Sequence, residues 1–216
     1  SPSSTSNKPW SHWHQRIHAT LQESPELLPK SSYLLLSISG GQDSMALLKL
    51  ILDLERVYKW KIFIWHGDHG WHQESTNNKN ELQKWCLKQN LIFSSDQTNK
   101  EKTSTEEKAR EWRYACLTEQ ARKIVNNNHS LESTYVLTGH TGSDRAETLI
   151  LNLSRGSDVN GLCSIPLQRS LEKNINLVRP LLSFSREETA TICRTFNLPI
   201  WIDPTNKNKS LRRNKI

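Results

Sequence analysis

Tyr33-Leu34-Leu35-Leu36-Ser37-Ile38-Ser39-Gly40-Gly41-Gln42-Asp43-Ser44 is an apolar run of buried-strand length that breaks on two glycines. Beyond it Leu47, Leu48, Ile51, Leu54 and Tyr58 recur at steps of three and four, the spacing of an amphipathic helix that ends near Lys59. The glycines let backbone N–H groups turn inward around an anion, Ser39 and Ser44 add hydroxyls, and the helix presents its positive end. This is a phosphate cradle without the lysine of a Walker loop. Asp43 stands where its charge repels phosphate unless a divalent cation intervenes, which implies Mg2+.

Outward from this stretch the pattern repeats. A helix is predicted over Trp10 to Glu23, a strand from Lys61 to Trp65 running into His66-Gly67-Asp68-His69-Gly70, and a helix from Glu81 to Asn90. A short strand over Leu91 to Ser95 precedes a long helix from about Thr105 to Val125, with capping boxes read at Thr103…Glu106 and Ser104…Glu107. Strand Thr134 to Leu137 leads into Gly139-His140, a helix runs from near Ser143 to about Gly156, and an extended segment at Ile175 to Val178 precedes a helix capped by Ser185…Glu188. Short apolar strands alternating with helices give an α/β fold, a parallel sheet covered by helices on both faces. Ligands in such sheets bind beyond the carboxyl ends of the strands, where the clusters at 39–44, 68–70 and 139–147 all fall.

Composition bounds the function. The 216 residues suit one domain, read as 10–216 after a polar tail over 1–9, and the formal net charge of +7 favours a polyanionic partner such as nucleic acid. Cys86, Cys116, Cys163 and Cys193 form no C-x-x-C pair, which argues against a zinc ribbon, a redox dithiol or a disulfide scaffold. No window reads as a membrane span or signal peptide, so a cytoplasmic chain is expected.

Asp144 and Glu147 lie three apart at a helix start, on one face, where they suit either an ammonium group or a metal. Arg110 and Arg113 share a face of the long helix and suit phosphates. His140 and His69 are candidate nucleotide contacts, with His140 ranked first.

Ser39-Gly40-Gly41-Gln42-Asp43-Ser44 resembles the SGG-x-DS loop of the N-type ATP pyrophosphatases, Rossmann-like enzymes that cleave ATP to AMP and pyrophosphate. Within that superfamily the chain resembles the tRNA(Ile)-lysidine synthase family. The likeness rests on Asp68-His69-Gly70, Ala109-Arg110-x-x-Arg113-Tyr114, Gly139-His140-x-x-x-Asp144-x-x-Glu147-Thr148, Arg155-Gly156, Arg179-Pro180-Leu181-Leu182 and Asp203-x-x-Asn206 with Arg213-Asn214. These cover most of residues 33 to 214. The resemblance implies ATP and Mg2+ as cofactors, and as substrates free L-lysine and a tRNA(Ile) with a CAU anticodon. Its wobble cytidine would be adenylated and then attacked by lysine, changing the codon read from AUG to AUA. It further implies nucleotide contacts from Ser39 to Ser44, Asp68, His69 and His140, a metal held by Asp43 and Asp144, and catalytic roles for Asp43, Asp144, Glu147, Arg110 and Arg113. Where the family commonly has Leu-Arg after Asp68-His69-Gly70, this chain has Trp71-His72. Its last residues fall inside what resembles the family's R-N-x-I-R motif, so the final arginine is absent and any downstream tRNA-binding portion is not represented. Two other readings stay open, a related thiolase or amidotransferase synthetase and a non-catalytic RNA-docking module. The missing cysteine pair speaks against the thiolase, and the carboxylates beside a phosphate cradle against the docking module.

Overall fold

The computed structural model describes residues 10–68, 73–99, 103–127, 133–154 and 165–201. Its elements are α1 (His12–Glu23), β1 (Tyr33–Ser37), α2 (Gln42–Tyr58), β2 (Lys61–Asp68), α3 (Gln73–Lys88), β3 (Ile92–Gln97), α4 (Glu106–Asn127), β4 (Thr134–Thr138), α5 (Gly142–Ser154), β5 (Gln168–Glu172), β6 (Ile175–Val178) and α6 (Arg186–Thr195).

The six strands form one sheet in the order β3-β2-β1-β4-β6-β5. All neighbours are parallel except β5, which pairs antiparallel with β6 at the edge. The chain builds outward from β1 to β3, then α4 carries it back across the sheet to β4 on the other side of β1. The strand order therefore reverses between β1 and β4, and the crevice opened there is where such sheets hold ligands.

The run Tyr33 to Ile38 is apolar but for Ser37 because both its faces are covered. Leu34, Leu36 and Ile38 pack with α1, α2 and α6 through Ile17, Leu47, Ile51 and Ile192. Tyr33 and Leu35 point the other way, toward Trp65, Leu117, Ala121 and Ile124 under α4. Leu34 and Leu36 are fully buried, and truncating either to alanine costs about 2 to 5 kcal/mol. Helix α2 buries Met45, Leu47, Leu48, Ile51 and Leu54 and stops at Lys59, which turns left-handed at φ 57°.

The sequence reading placed these elements well, with four differences, the first being the antiparallel edge strand β5, which it did not contain. Strand β2 continues through His66, Gly67 and Asp68, because β3 pairs with it to the end, Asp68 opposite Gln97. Helix α3 starts at Gln73, well before Glu81. Helix α4 is capped by Thr105, whose hydroxyl accepts from the Lys108 N–H at 3.2 Å, while the Thr103 hydroxyl donates to the Asn99 carbonyl at 3.0 Å. With lysine three residues after the cap, the reciprocal glutamate of a capping box has no place there. The box at Ser185 and Glu188 is present as read. Among the described residues no helix is long and apolar enough to cross a membrane.

Candidate active site

Three segments meet at the β1/β4 crevice: the loop after β1, the turn after β4 and the first turn of α6. Gly40 adopts φ 85°, a left-handed conformation that favours glycine. The Gly41 N–H donates to the Ser39 Oγ at 3.2 Å, the Ser39 and Ser44 hydroxyls lie 3.1 Å apart, and the Ser44 Oγ donates to the Gly41 carbonyl at 2.9 Å. Gly41 is the N-cap of α2 and carries no side chain to satisfy the first-turn N–H groups, which are left for an anion. Trp201 braces the loop from outside, its N–H donating to the Gly40 carbonyl at 2.9 Å.

Gly139 sets the closeness of the two strand ends. A Cβ there would stand 3.0 Å from the carbonyl carbon of Asp43 and 3.0 Å from the backbone nitrogen of Ser44. Only glycine lets the β4 turn approach the start of α2 this tightly. Gly142 is held similarly against the Leu182 carbonyl, 3.0 Å from where its Cβ would be.

The carboxylates converge on α6. Asp144 accepts from the Thr141 backbone N–H at 2.8 Å and hydroxyl at 3.0 Å through one oxygen, and from Arg186 at 2.6 Å through the other. The second arm of the same guanidinium donates to Glu147 at 2.7 Å. Arg186 is also anchored by its backbone: its N–H donates to the Ser143 hydroxyl at 3.2 Å and its carbonyl accepts from the Gln42 amide at 2.9 Å. Asp43 accepts a short hydrogen bond from the Thr189 hydroxyl, one turn further along α6.

Burial raises the Asp43 carboxyl above its ordinary range; the Thr189 bond opposes the rise and the nearby charge of Asp144 adds to it. Burial acts the same way on Asp144, but the Thr141 N–H and the Arg186 charge outweigh it and hold that group low. Asp43 therefore carries its negative charge against the cost of burial, and a positive charge beside it favours that ionised form. Among the described residues no three His, Cys, Asp or Glu side chains form a metal cluster. Mg2+ bound through one or two carboxylates and substrate phosphates needs no such cluster, so Asp43, with Asp144 beside it, fits that mode.

His140 accepts or donates across 2.8 Å to the Thr138 hydroxyl. Burial and the charge of Arg179 depress it to about 4, with smaller contributions from Arg110 and Arg113, so it is neutral at physiological pH. Arg110 and Arg113 of α4 thus stand near the β4 turn, Arg113 half-buried and Arg110 exposed. Gln42 turns away from the cradle toward α6. Asp68 is buried at the end of β2, where it accepts from the Thr76 hydroxyl at 3.3 Å. His69 lies outside the described residues, as do Arg155, Gly156, Cys163, Asp203, Asn206, Arg213 and Asn214.

Arg186, Thr189 and Trp201 were not anticipated as parts of this site. The capping box at Ser185 announces the start of α6 and thereby two residues of its first turns, but nothing in the sequence says which strand ends they face. His66, buried with Nδ1 at 2.8 Å from the Ile38 carbonyl, was likewise unread; it pins the end of β1 just before the cradle.

The PP-loop domain family matches residues 10–216. This chain belongs to that family. A tRNA(Ile)-lysidine synthase of Prochlorococcus marinus is 55% identical over 209 residues, covering 97% of this chain and 62% of the relative. The chloroplastic tRNA(Ile)-lysidine synthase of Pyropia yezoensis is 40% identical, over 94% of this chain and 59% of its own length. The chain thus spans about three fifths of the curated relatives it matches. Among solved structures, the U34-tRNA thiolase NcsA of Methanococcus maripaludis is similar with a TM-score of 0.65 at 17% identity, covering 89% of this chain and 66% of that one. NMN synthetase of Francisella tularensis is similar with a TM-score of 0.53 at 12% identity, over 88% and 73%. At these identities the likeness is one of fold, the PP-loop sheet with its flanking helices.

Proposed function

We propose that this PP-loop domain performs the ATP-dependent ligation of lysine to the wobble cytidine of a tRNA(Ile) with a CAU anticodon. The observation that carries the reading is the meeting of a lysine-free phosphate cradle with Asp43, Asp144 and Glu147 at one crevice, in a chain 55% identical to a tRNA(Ile)-lysidine synthase. Residues Ser39 to Ser44 hold the ATP phosphates, with Asp68, His69 and His140 as further nucleotide contacts. Asp43 and Asp144 hold Mg2+, which when bound supplies charge neutralisation at the phosphates.

In the first step the cytidine O2 attacks the α-phosphorus, forming an O–P bond while the bond to the pyrophosphate oxygen breaks. In the second, the neutral amine of lysine attacks C2, and AMP leaves with the former O2 after the amine gives up a proton. Asp144 and Glu147 are assigned to the amine substrate and Arg110 and Arg113 to phosphates. Neutral His140 donates or accepts a hydrogen bond without adding charge.

The thiolase alternative needs an activated sulfur. Burial pushes the thiols of Cys86, Cys116 and Cys193 up to about 11, so none of the three is poised as a nucleophile. The direct test is incorporation of radiolabelled lysine into tRNA(Ile) with ATP and Mg2+. ATP-dependent label in the RNA with AMP released in equal amount is the expected result; sulfur transfer or no RNA product would refute the reading.

A further inference from the structure

Tyr114 on α4 is surrounded by guanidinium groups that the cradle chemistry does not account for. Arg110 lies 5.2 Å from the ring centroid and Arg169, on edge strand β5, lies 4.9 Å from it. Arg179, at the end of β6 and fully buried, stands near enough to act on the Tyr114 hydroxyl by its charge and gives one arm to the Pro166 carbonyl at 2.7 Å, while its Nε has no partner. Arg113 stands next to the tyrosine with its guanidinium largely desolvated. None of these four arginines forms a salt bridge among the described residues, although Arg16, Arg122 and Arg186 all do. The nearest acid acting on the group is Glu106, through its charge on Arg113.

Four unneutralised guanidiniums around an aromatic ring are costly to assemble unless an anion completes them. Planar guanidinium forks match phosphate oxygens bidentately, and arginine interleaved with an aromatic ring is the composition of single-strand nucleic-acid sites. The cluster begins beside His140, in the turn after the strand next to β1, and includes Arg169, whose strand β5 lies three strands from β1. Its exposed end is based on edge strand β5, away from the cradle that follows β1. It suits a polymer whose reacting base enters the crevice while its neighbours lie across β6 and β5.

We propose that Arg110, Arg169, Arg179 and Tyr114 form a phosphate-binding ledge that receives the RNA backbone next to the reacting cytidine. The proposal rests on the function assigned above and adds residues of β5 and β6 to it. The competing source of the same oxyanion chemistry is ATP or its pyrophosphate.

Arg169 is exposed and outside the core, so Arg169→Ala is the informative variant. Its affinity for a synthetic RNA hairpin with a CAU loop, followed by fluorescence anisotropy across KCl concentrations, is expected to fall roughly tenfold at low salt. The slope of log affinity against log salt is expected to shrink by about 1. Lys88→Ala, which removes the same charge from the far end of α3, is the control for net charge. ATP and inorganic pyrophosphate affinities are measured on the same proteins by calorimetry. Weaker RNA binding in Arg169→Ala with unchanged ATP and pyrophosphate affinities supports the ledge. Weaker pyrophosphate binding with unchanged RNA binding assigns the cluster to the nucleotide and overturns it, as does an RNA loss no larger than that of Lys88→Ala. If the unsubstituted chain binds the hairpin but never incorporates lysine, the function fails while the ledge stands.

Discussion

Arg186 is joined to Asp144 by a 2.6 Å charge-assisted hydrogen bond that spans 42 residues of sequence. Its second arm holds Glu147, so one guanidinium partly neutralises the carboxylate pair at the start of α5. Arg186 also lowers the Asp43 carboxyl by its charge, though less than burial raises it. Arg186→Gln is therefore expected to move the acid limb of adenylation to higher pH, because both Asp43 and Asp144 become harder to ionise. Arg186→Lys, which keeps the charge, is expected to restore much of the profile. The check is pyrophosphate release against pH. With all three partners half exposed, the stability cost of the charge removal is only about 1 kcal/mol. An unmoved acid limb in a folded Arg186→Gln would mean that the arginine does not tune these acids.

Asp43→Asn keeps the size of the side chain and can still accept from Thr189, but it deletes the charge proposed above to hold the metal. Adenylation is expected to fall by several orders of magnitude while the melting temperature stays near or above that of the parent. The rise is possible because a buried charge disfavoured by its surroundings has been removed. AMP formation at near-normal rate by the folded variant would contradict the assignment.

Gly139→Ala tests the crevice geometry itself. The added methyl meets only backbone atoms of Asp43 and Ser44 near 3.0 Å, none of which can rotate away. The start of α2 must shift, with an expected loss of about 1 to 3 kcal/mol in unfolding free energy and a larger effect on the ATP KM than on RNA affinity. Denaturant unfolding and steady-state kinetics measure the two.

The burial of His140 has a consequence for stability against pH. Its folded value of about 4 lies below the ordinary 6.5, so the unfolded chain takes up the proton first as pH falls. Stability contributed by the neutral ring is complete above pH 6.5 and is lost as pH drops toward 4. In His140→Asn the slope of unfolding free energy between these values is expected to be shallower by up to one proton, about 1.4 kcal/mol per pH unit. An identical slope in parent and variant would show that His140 titrates normally.

Local signals made most of the fold legible. The Tyr33 to Ile38 run reads as a two-sided buried strand because every residue of it but Ser37 is apolar, and the α6 box reads because Ser185 and Glu188 satisfy each other within one turn. Strand β5 escaped because Gln168, Arg169 and Ser170 lie on an exposed antiparallel edge, where no apolar pattern is required. The site was half legible for a related reason. Ser39 to Ser44 declare their chemistry by local turn geometry, whereas the pairing of Arg186 with Asp144, and of Thr189 with Asp43 across 146 residues, depends on α6 packing against α2. Only the folded sheet brings them together.

The division of labour between the two acids is the finest point of the function and the most exposed to test. Glu147 accepts from one arm of Arg186, and Asp144 is bonded to Thr141 of the β4 turn. An ammonium shared by the two acids is expected to depend more cleanly on Glu147, because replacing Asp144 also disturbs the β4 turn. Glu147→Gln is thus expected to raise the lysine requirement or slow lysine attack by roughly 10- to 150-fold, the equivalent of about 1.5 to 3 kcal/mol for one charged hydrogen-bond partner, with ATP affinity nearly unchanged. Asp144→Asn is expected to lower adenylation as well, since it removes charge beside Asp43 and weakens the turn. The measurement is single-turnover decay of the adenylated tRNA against lysine concentration, with ATP binding determined separately. If Glu147→Gln leaves lysine use intact while ATP affinity collapses, Glu147 serves the nucleotide's metal and the amine is recognised elsewhere.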